Sequence, residues 1–248
     1  MYIGIIQKAI DAIKKLNPEI DLDYCGVVPC ENKTRLTFEG VVADMPPFEG
    51  EVVFIDDSSI VIKESLAYEI YVVVAKALAT QVPEVGSKVR VTPYFRRNFD
   101  GSRADGCLCD NGINSVYDCP YAFGKSTALP FERPAGYYMG YLYDQLNQLK
   151  APDNVRNIAQ LLVDASARDF IVFDHDDDVE VPARIEFFVS TDKFTGKVSV
   201  LYEHMTDLYL IFLWDGDDVV ASSRFTSEAL ADLIDDGNWN KIQIEVIV

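Results

Sequence analysis

The sequence holds no uninterrupted apolar run of about 18 residues, the length that a membrane-spanning helix needs. Its first stretch, MYIGIIQKAIDAIKKL, sets Lys8, Asp11, Lys14 and Lys15 among its apolar positions, so neither a membrane span nor a secretory signal is expected there. Cysteine is scarce. The five present, Cys25, Cys30, Cys107, Cys109 and Cys119, are too few and odd in number for a disulfide scaffold, which makes a reducing cytoplasm the expected compartment. Histidine is scarcer: His175 and His204 stand beside no serine or cysteine motif, and no nucleophile elbow occurs. Basic residues are also short, 22 Lys and Arg against 40 Asp and Glu. The resulting net charge of −18 argues against wrapping by nucleic acid, because phosphate binding requires a cationic surface. No internal repeat is present, which excludes a solenoid.

What is abundant is apolar surface and localised negative charge. Of the 248 residues 49% are hydrophobic and 12% aromatic, enough to bury a core in one large domain or two small ones. From Asp164 onward the chain has 19 acids and 6 bases, a net −13, whereas the residues before it carry only −5. A charged partner of such a surface is expected to be a basic protein.

Periodicity divides the chain into three stretches. In residues 1–100, Ile3, Ile6, Ile10, Ile13 and Leu16 recur at helical spacing and predict a helix over 2–16. TRLTFEGVV, EGEVVFID, SIVIKE, EIYVVV and KVRVTP then read as five strands. Closure into a small antiparallel barrel, SH3-like or OB-like, would remove their free edges. Residues 101–133 form a long irregular loop. Residues 134–248 read as an acidic α+β region. It begins with a helix pair opened by Pro134 and Pro152. An antiparallel sheet follows, made from FIVF, VPARIEFFVS, KVSVLYEH, LYLIFLW and VVASSRF, with turns expected at Thr195-Gly196 and Asp215-Gly216. A short helix, SEALADLI, capped by Thr226, and a closing strand KIQIEVIV end the region, with the helices on one face of the sheet. The fold class is therefore α+β.

Several groups bear chemistry. Cys107, Cys109 and Cys119 are candidate thiolate ligands for a structural zinc, although Cys-x-Cys followed by nine residues matches no standard finger and competes with a reading as incidental thiols. No other cofactor is indicated. Asp174-His175-Asp176-Asp177-Asp178 has the composition of a hard-metal cluster but lacks the spacing, glycine and terminal glutamate of a calcium loop, so a solvated inter-strand turn is the preferred reading. Gly124-Lys125-Ser126-Thr127 resembles the end of a phosphate-binding loop, yet Pro120 removes an amide and Leu129-Pro130 interrupts the helix that such a loop needs. Arg96, Arg97 and Arg103 form a basic cluster beside Tyr94 and Phe99, suited to gripping carboxylates or stacking on bases, although an internal ion-pair network with the chain's own acids is the preferred reading. Among the tyrosines of the first paired helix, Tyr137 and Tyr141 are expected in the core, leaving Tyr138 and Tyr143 as interface candidates.

The stretch from Gly50 to Pro93 has two strands, a crossing segment, and Val82-Pro83-Glu84-Val85-Gly86 before a last strand. In that order it resembles the small β-barrel of KfrB-like accessory proteins of plasmids and conjugative elements. The resemblance implies an accessory role on a bacterial mobile genetic element. It carries over no functional residue.

These features converge on a non-enzymatic interaction protein that binds a basic protein partner, through Asp176, Asp177, Asp178, Asp217 and Asp218 and through Arg96, Arg97 and Arg103. DNA mimicry, with spaced carboxylates imitating phosphates, is a specific version, and an ordinary acidic surface that serves solubility is the reading preferred over mimicry. The alternative is a metal-dependent or hydrolytic enzyme built on the loop 101–125 or the acidic turn 174–178. Oligomeric state does not follow from the sequence.

Overall fold

Strands that are apolar throughout and strands that alternate build two different sheets in this protein. The computed structural model describes residues 26–30, 35–38, 41–65, 70–104, 127–174 and 182–247, together with 7, 10, 11, 13–15 and 18. The chain divides into two units, residues 1–95 with 239–248, and residues 96–238.

In the first unit Gln7, Ile10, Asp11, Ile13, Lys14 and Lys15 are helical, within the expected span. The strands are β1 (Gly26–Cys30), β2 (Arg35–Phe38), β3 (Val41–Asp44), β4 (Phe48–Ile55), β5 (Ser59–Glu64), β6 (Ile70–Ala75) and β7 (Lys88–Thr92). The stretch TRLTFEGVV, expected as one strand, contributes to two, β2 paired antiparallel with β3. The other strands form an open sheet in the order β1-β6-β5-β4-β7, completed beyond β7 by β13 (Gln243–Val246). β1 runs parallel to β6, and the remaining neighbours are antiparallel. The anticipated barrel is thus not closed. Two apolar clusters remove the need for closure, because they bury opposite sides of β5 and β6. Ile60, Ile62, Val72 and Val74 enter one cluster, and Val61, Tyr71 and Val73 join Ile13 of the helix in the other. The edge strand β1, GVVPC, is not among the five expected strands, and its Pro29 is a residue type that argues against a strand. Proline is tolerated at a sheet edge, and that is where β1 lies. At the β4–β5 turn the Asp56 carboxylate accepts from the amides of Ser58 and Ser59, at 2.8 and 2.7 Å, and from both hydroxyls. Partial burial raises its pKa, but these bonds outweigh burial and hold it below the usual aspartate value.

In the second unit, helices α1 (Tyr137–Gln148) and α2 (Ile158–Asp164) precede a five-stranded meander: β8 (Arg168–Phe173), β9 (Arg184–Ser190), β10 (Thr195–Glu203), β11 (Leu208–Asp215) and β12 (Asp218–Arg224). Each strand pairs antiparallel with the next. Helix α3 (Ser227–Ile234) follows, with the Thr226 hydroxyl accepting from the Ala229 amide as an N-cap should. One face of the meander, with Ile185, Phe187, Val198, Val200, Ile211 and Leu213, packs on Met139, Leu142 and Leu146 of α1, Leu161 and Leu162 of α2, and Leu230 and Ile234 of α3. This is the anticipated sheet with helices on one side.

Neither paired helix begins at its proline. α1 starts after Gly136, and α2 starts after Asn157, whose side chain accepts from the Gln160 amide at 2.8 Å. Residues 152–157 are held in a turn instead. The Asp153 carboxylate accepts from the Val155 and Arg156 amides, and the buried Arg156 guanidinium reaches Asp153 and Asp164, each at 2.9 Å, and Asp235. The tyrosine assignment on α1 is reversed: Tyr138 and Tyr143 pack on the core, while Tyr137 and Tyr141 are 75% and 53% exposed. Thr195-Gly196 is not a turn, since both residues lie in β10. Gly196 is needed for close approach, as a Cβ there would stand 2.5 Å from the Trp214 carbonyl oxygen. The Asp215-Gly216 turn is present, a two-residue loop with Gly216 at φ +61°.

The closing strand does not complete this meander. β13 pairs antiparallel with β7, and its Ile244 is buried in the first unit's core together with Ile242. The division at residue 134 therefore places these last residues with the wrong sheet; apolar alternation in QIEV marks a strand without naming its neighbour.

Candidate interaction face of the C-terminal sheet

Side chains of a strand point alternately to its two faces, so the residues between the buried ones of β8–β12 share the opposite face of the meander. The strand register arranges them in rows. One row is Trp214, Lys197, Phe188 and Arg168. The next is Ser222, Phe212, Ser199, Glu186 and Ile171, and the third is Arg224, Leu210, Leu201, Arg184 and Phe173. Among the described residues, no helix of the apolar core lies on this side. Ile171 and Phe188 are 51% and 42% exposed, and Leu201, Leu210, Phe212, Trp214 and Phe173 are half-buried. Partly exposed apolar side chains thus adjoin one another across β8–β11 on this face.

Cations are threaded through the apolar rows. The Lys197 ammonium lies 4.8 Å from the Trp214 ring centroid, and the Arg184 guanidinium lies 3.7 Å from that of Phe173. Phe212 and Trp214, two apart on β11, have ring centroids 6.3 Å from each other. Arg224 is exposed, and so is Arg168, which pairs with the Asp169 carboxylate at 3.8 Å. Two acids share the face. Glu186 accepts from Arg184 at 2.8 Å and lies 3.4 Å from the Ser199 hydroxyl, while Glu203, at the strand end, accepts from the Met205 amide at 3.2 Å. Of the six bases from Asp164 onward, Arg168, Arg184, Lys197 and Arg224 are therefore on one sheet face, in a stretch where acids outnumber bases by 19 to 6.

The residues singled out from sequence are placed elsewhere. Asp217 and Asp218 are exposed with Asp215 at the β11–β12 hairpin tip. Asp176, Asp177, Asp178 and His175 lie outside the described residues, as do Cys107, Cys109 and Cys119. Arg96 and Arg103 are buried, and of the three arginines only Arg97 is exposed; an antiparallel bridge joins Arg97 to Arg103, so the three belong to a folded turn rather than to an open basic patch. Of the phosphate-loop-like stretch only Thr127 is described. Its buried hydroxyl lies 2.8 Å from the Arg97 carbonyl oxygen and 2.5 Å from Gln160 Oε1, which makes it part of the interior. His204 sits edge-on to Tyr138 and Tyr202, with the Tyr202 hydroxyl donating to Asp207 at 2.6 Å. Among the described residues no group of three His, Cys, Asp or Glu is placed to hold a metal ion. No helix among the described residues is long and apolar enough to cross a membrane. A shallow cavity of about 360 Å³ in the first unit is lined by Ile13, Glu51, Val53, Lys63, Tyr71 and Val85.

Sequence reasoning missed the open face because LYLIFLW is apolar on both sides and hides its own alternation. The clue lay in the neighbouring strands, where Arg184, Glu186 and Phe188, and Lys197, Ser199 and Leu201, occupy every second position. The protein belongs to the α+β class, with one six-stranded sheet and one five-stranded meander covered by helices on a single face. No protein-family model, curated protein or solved structure matches the chain.

Proposed function

We propose that the protein is a non-enzymatic binding protein whose ligand is anionic and sits on the open face of the C-terminal sheet. The observation that carries this is the gathering of Arg168, Arg184, Lys197 and Arg224 among partly exposed aromatic and aliphatic side chains in a unit that is otherwise strongly acidic. An apolar face supplies binding energy, and cations at its rows select the sign of the partner. Heparin resin tests this. The protein is expected to be retained at low salt despite its net charge of −18, and R224E with K197E to flow through. Wild-type flow-through, or retention unchanged in the double variant, overturns the reading.

A second reading follows from the exposed carboxylates of Asp215, Asp217 and Asp218 at the hairpin tip, and assigns the protein a basic protein partner, with DNA mimicry as its specific form. Capture on polylysine that is lost in D217N/D218N supports it, and capture unaffected by that change removes it.

A further inference from the structure

We infer that the anionic ligand of the open face is single-stranded nucleic acid. This deepens the preceding proposal and rests on it. Three properties of the face select the ligand class.

The first is size. Five strands about 4.8 Å apart span about 19 Å, and the four alternate positions of a strand span about 20 Å. A rectangle of that size covers about 380 Å² in projection. It suits a ligand a few units long that lies flat, as a short run of nucleotides does.

The second is side-chain chemistry. Phe188, Phe212 and Trp214 stand in adjoining rows of an antiparallel sheet face that, among the described residues, no core helix covers, so unstacked bases have aromatic surfaces on which to lie. Arg184 lies over a face of Phe173 and Lys197 over a face of Trp214, which leaves Phe188 and Phe212 as the main stacking rings and keeps cations on the same face for the adjoining phosphates. A duplex buries its bases and offers nothing to the rings. Its advantage in charge density is therefore not matched by contact, and single strands are preferred.

The third is electrostatic range. The chain-wide charge that argues against nucleic acid averages over a segregated surface. Asp144, Asp153, Asp164, Glu228, Asp232 and Asp235 belong to the helical layer or its connections, on the far side of the sheet. Packed layers lie about 10 Å apart. At that distance the far-side acids act less strongly than groups that touch the ligand, and the open face itself carries Arg168, Arg184, Lys197 and Arg224 against Glu186 and Glu203, with Asp169 beside Arg168, so its local balance is positive where that of the chain is negative. The acids of the rim, at Asp215, Asp217 and Asp218, then limit how far a strand extends past the sheet.

The test is fluorescence anisotropy of the intact protein with 5′-labelled (dT)15 and (rU)15, alongside a 15-base-pair duplex and a Glu–Tyr copolymer. Single strands are expected to bind in 50 mM salt more tightly than the duplex. The slope of log affinity against log salt should be roughly −2 to −3, from about 0.7 for each of four phosphate contacts. F188A is expected to weaken binding about tenfold or more through lost stacking, and R224A to flatten the slope by about 0.7. Both positions are exposed, and circular dichroism verifies that each variant is folded. Heparin retention without oligonucleotide binding overturns this inference and leaves the anionic-ligand reading intact, and copolymer binding in that case redirects it to an acidic polypeptide. Loss of heparin retention as well overturns both. Equal affinity for duplex and single strand, or F188A and R224A binding as wild type does, overturns the placement on this face.

Discussion

The two sheets are both rich in apolar residues and differ in what covers them. In the first unit β5 and β6 are buried on both faces, one against the cluster of Val52, Val89, Val91 and Ile244, the other beneath Ile13 of the N-terminal helix. In the second unit the helices cover one face, and the other is left with aromatic rings, leucines and four cations. Full burial leaves a sheet nothing to present. A half-covered sheet keeps apolar side chains in water, at a cost of about 25 cal/mol for each Å² exposed, which the binding role proposed above would offset.

The sharpest way to break the comparison is at the interior of the second unit. Replacement of Arg156 by alanine strands the carboxylates of Asp153, Asp164 and Asp235 around an empty site, and the expected loss is about 3–5 kcal/mol, read by urea unfolding on Trp214 fluorescence in a W239F background. The same variant changes the acid response. Burial raises the Asp153 pKa, but hydrogen bonds from the Arg156 amide and side chain and the Val155 amide, with the charge of Arg156, bring it below 3.8. A depressed carboxyl contributes stability that is fully present above its unfolded value and lost as pH falls through the folded one. Wild-type stability should therefore drop below about pH 4 more steeply than that of R156A.

A smaller effect, about 2–5 kcal/mol, is expected for I244A, which opens a cavity in the first unit's core and should register on Trp239 in a W214F background. The smallest belongs to the open face. Phe188 neighbours the fully buried Phe187, yet F188A should shift stability by no more than about 0.5 kcal/mol. A loss several times larger would mean that Phe188 is a core residue and that the two sheets are alike.

Most elements were legible from periodicity, since β4–β7 and β8–β12 carry turn signals between runs of strand-forming residues. Long-range partners were not. QIEV looks the same whether it pairs with β12 or with β7, and GVVPC reads as a loop until β6 is beside it. The helix starts were obscured because Asp153 and Arg156, exposed types by composition, fold inward as a charged cluster that local propensity does not report. The site was hidden for a related reason. A net charge is a sum, and the four cations of the open face cancel inside it; only the register of five strands brings them together.

The pairing of β13 with β7 also sets an order of events on the ribosome. The outer edge of β7 is complete only when residues 243–246 exist, after all of residues 96–238 have been made. At about 5–20 residues per second, that is a wait of roughly 7 to 30 s during which the outer edge of β7 has no strand of this chain to pair with.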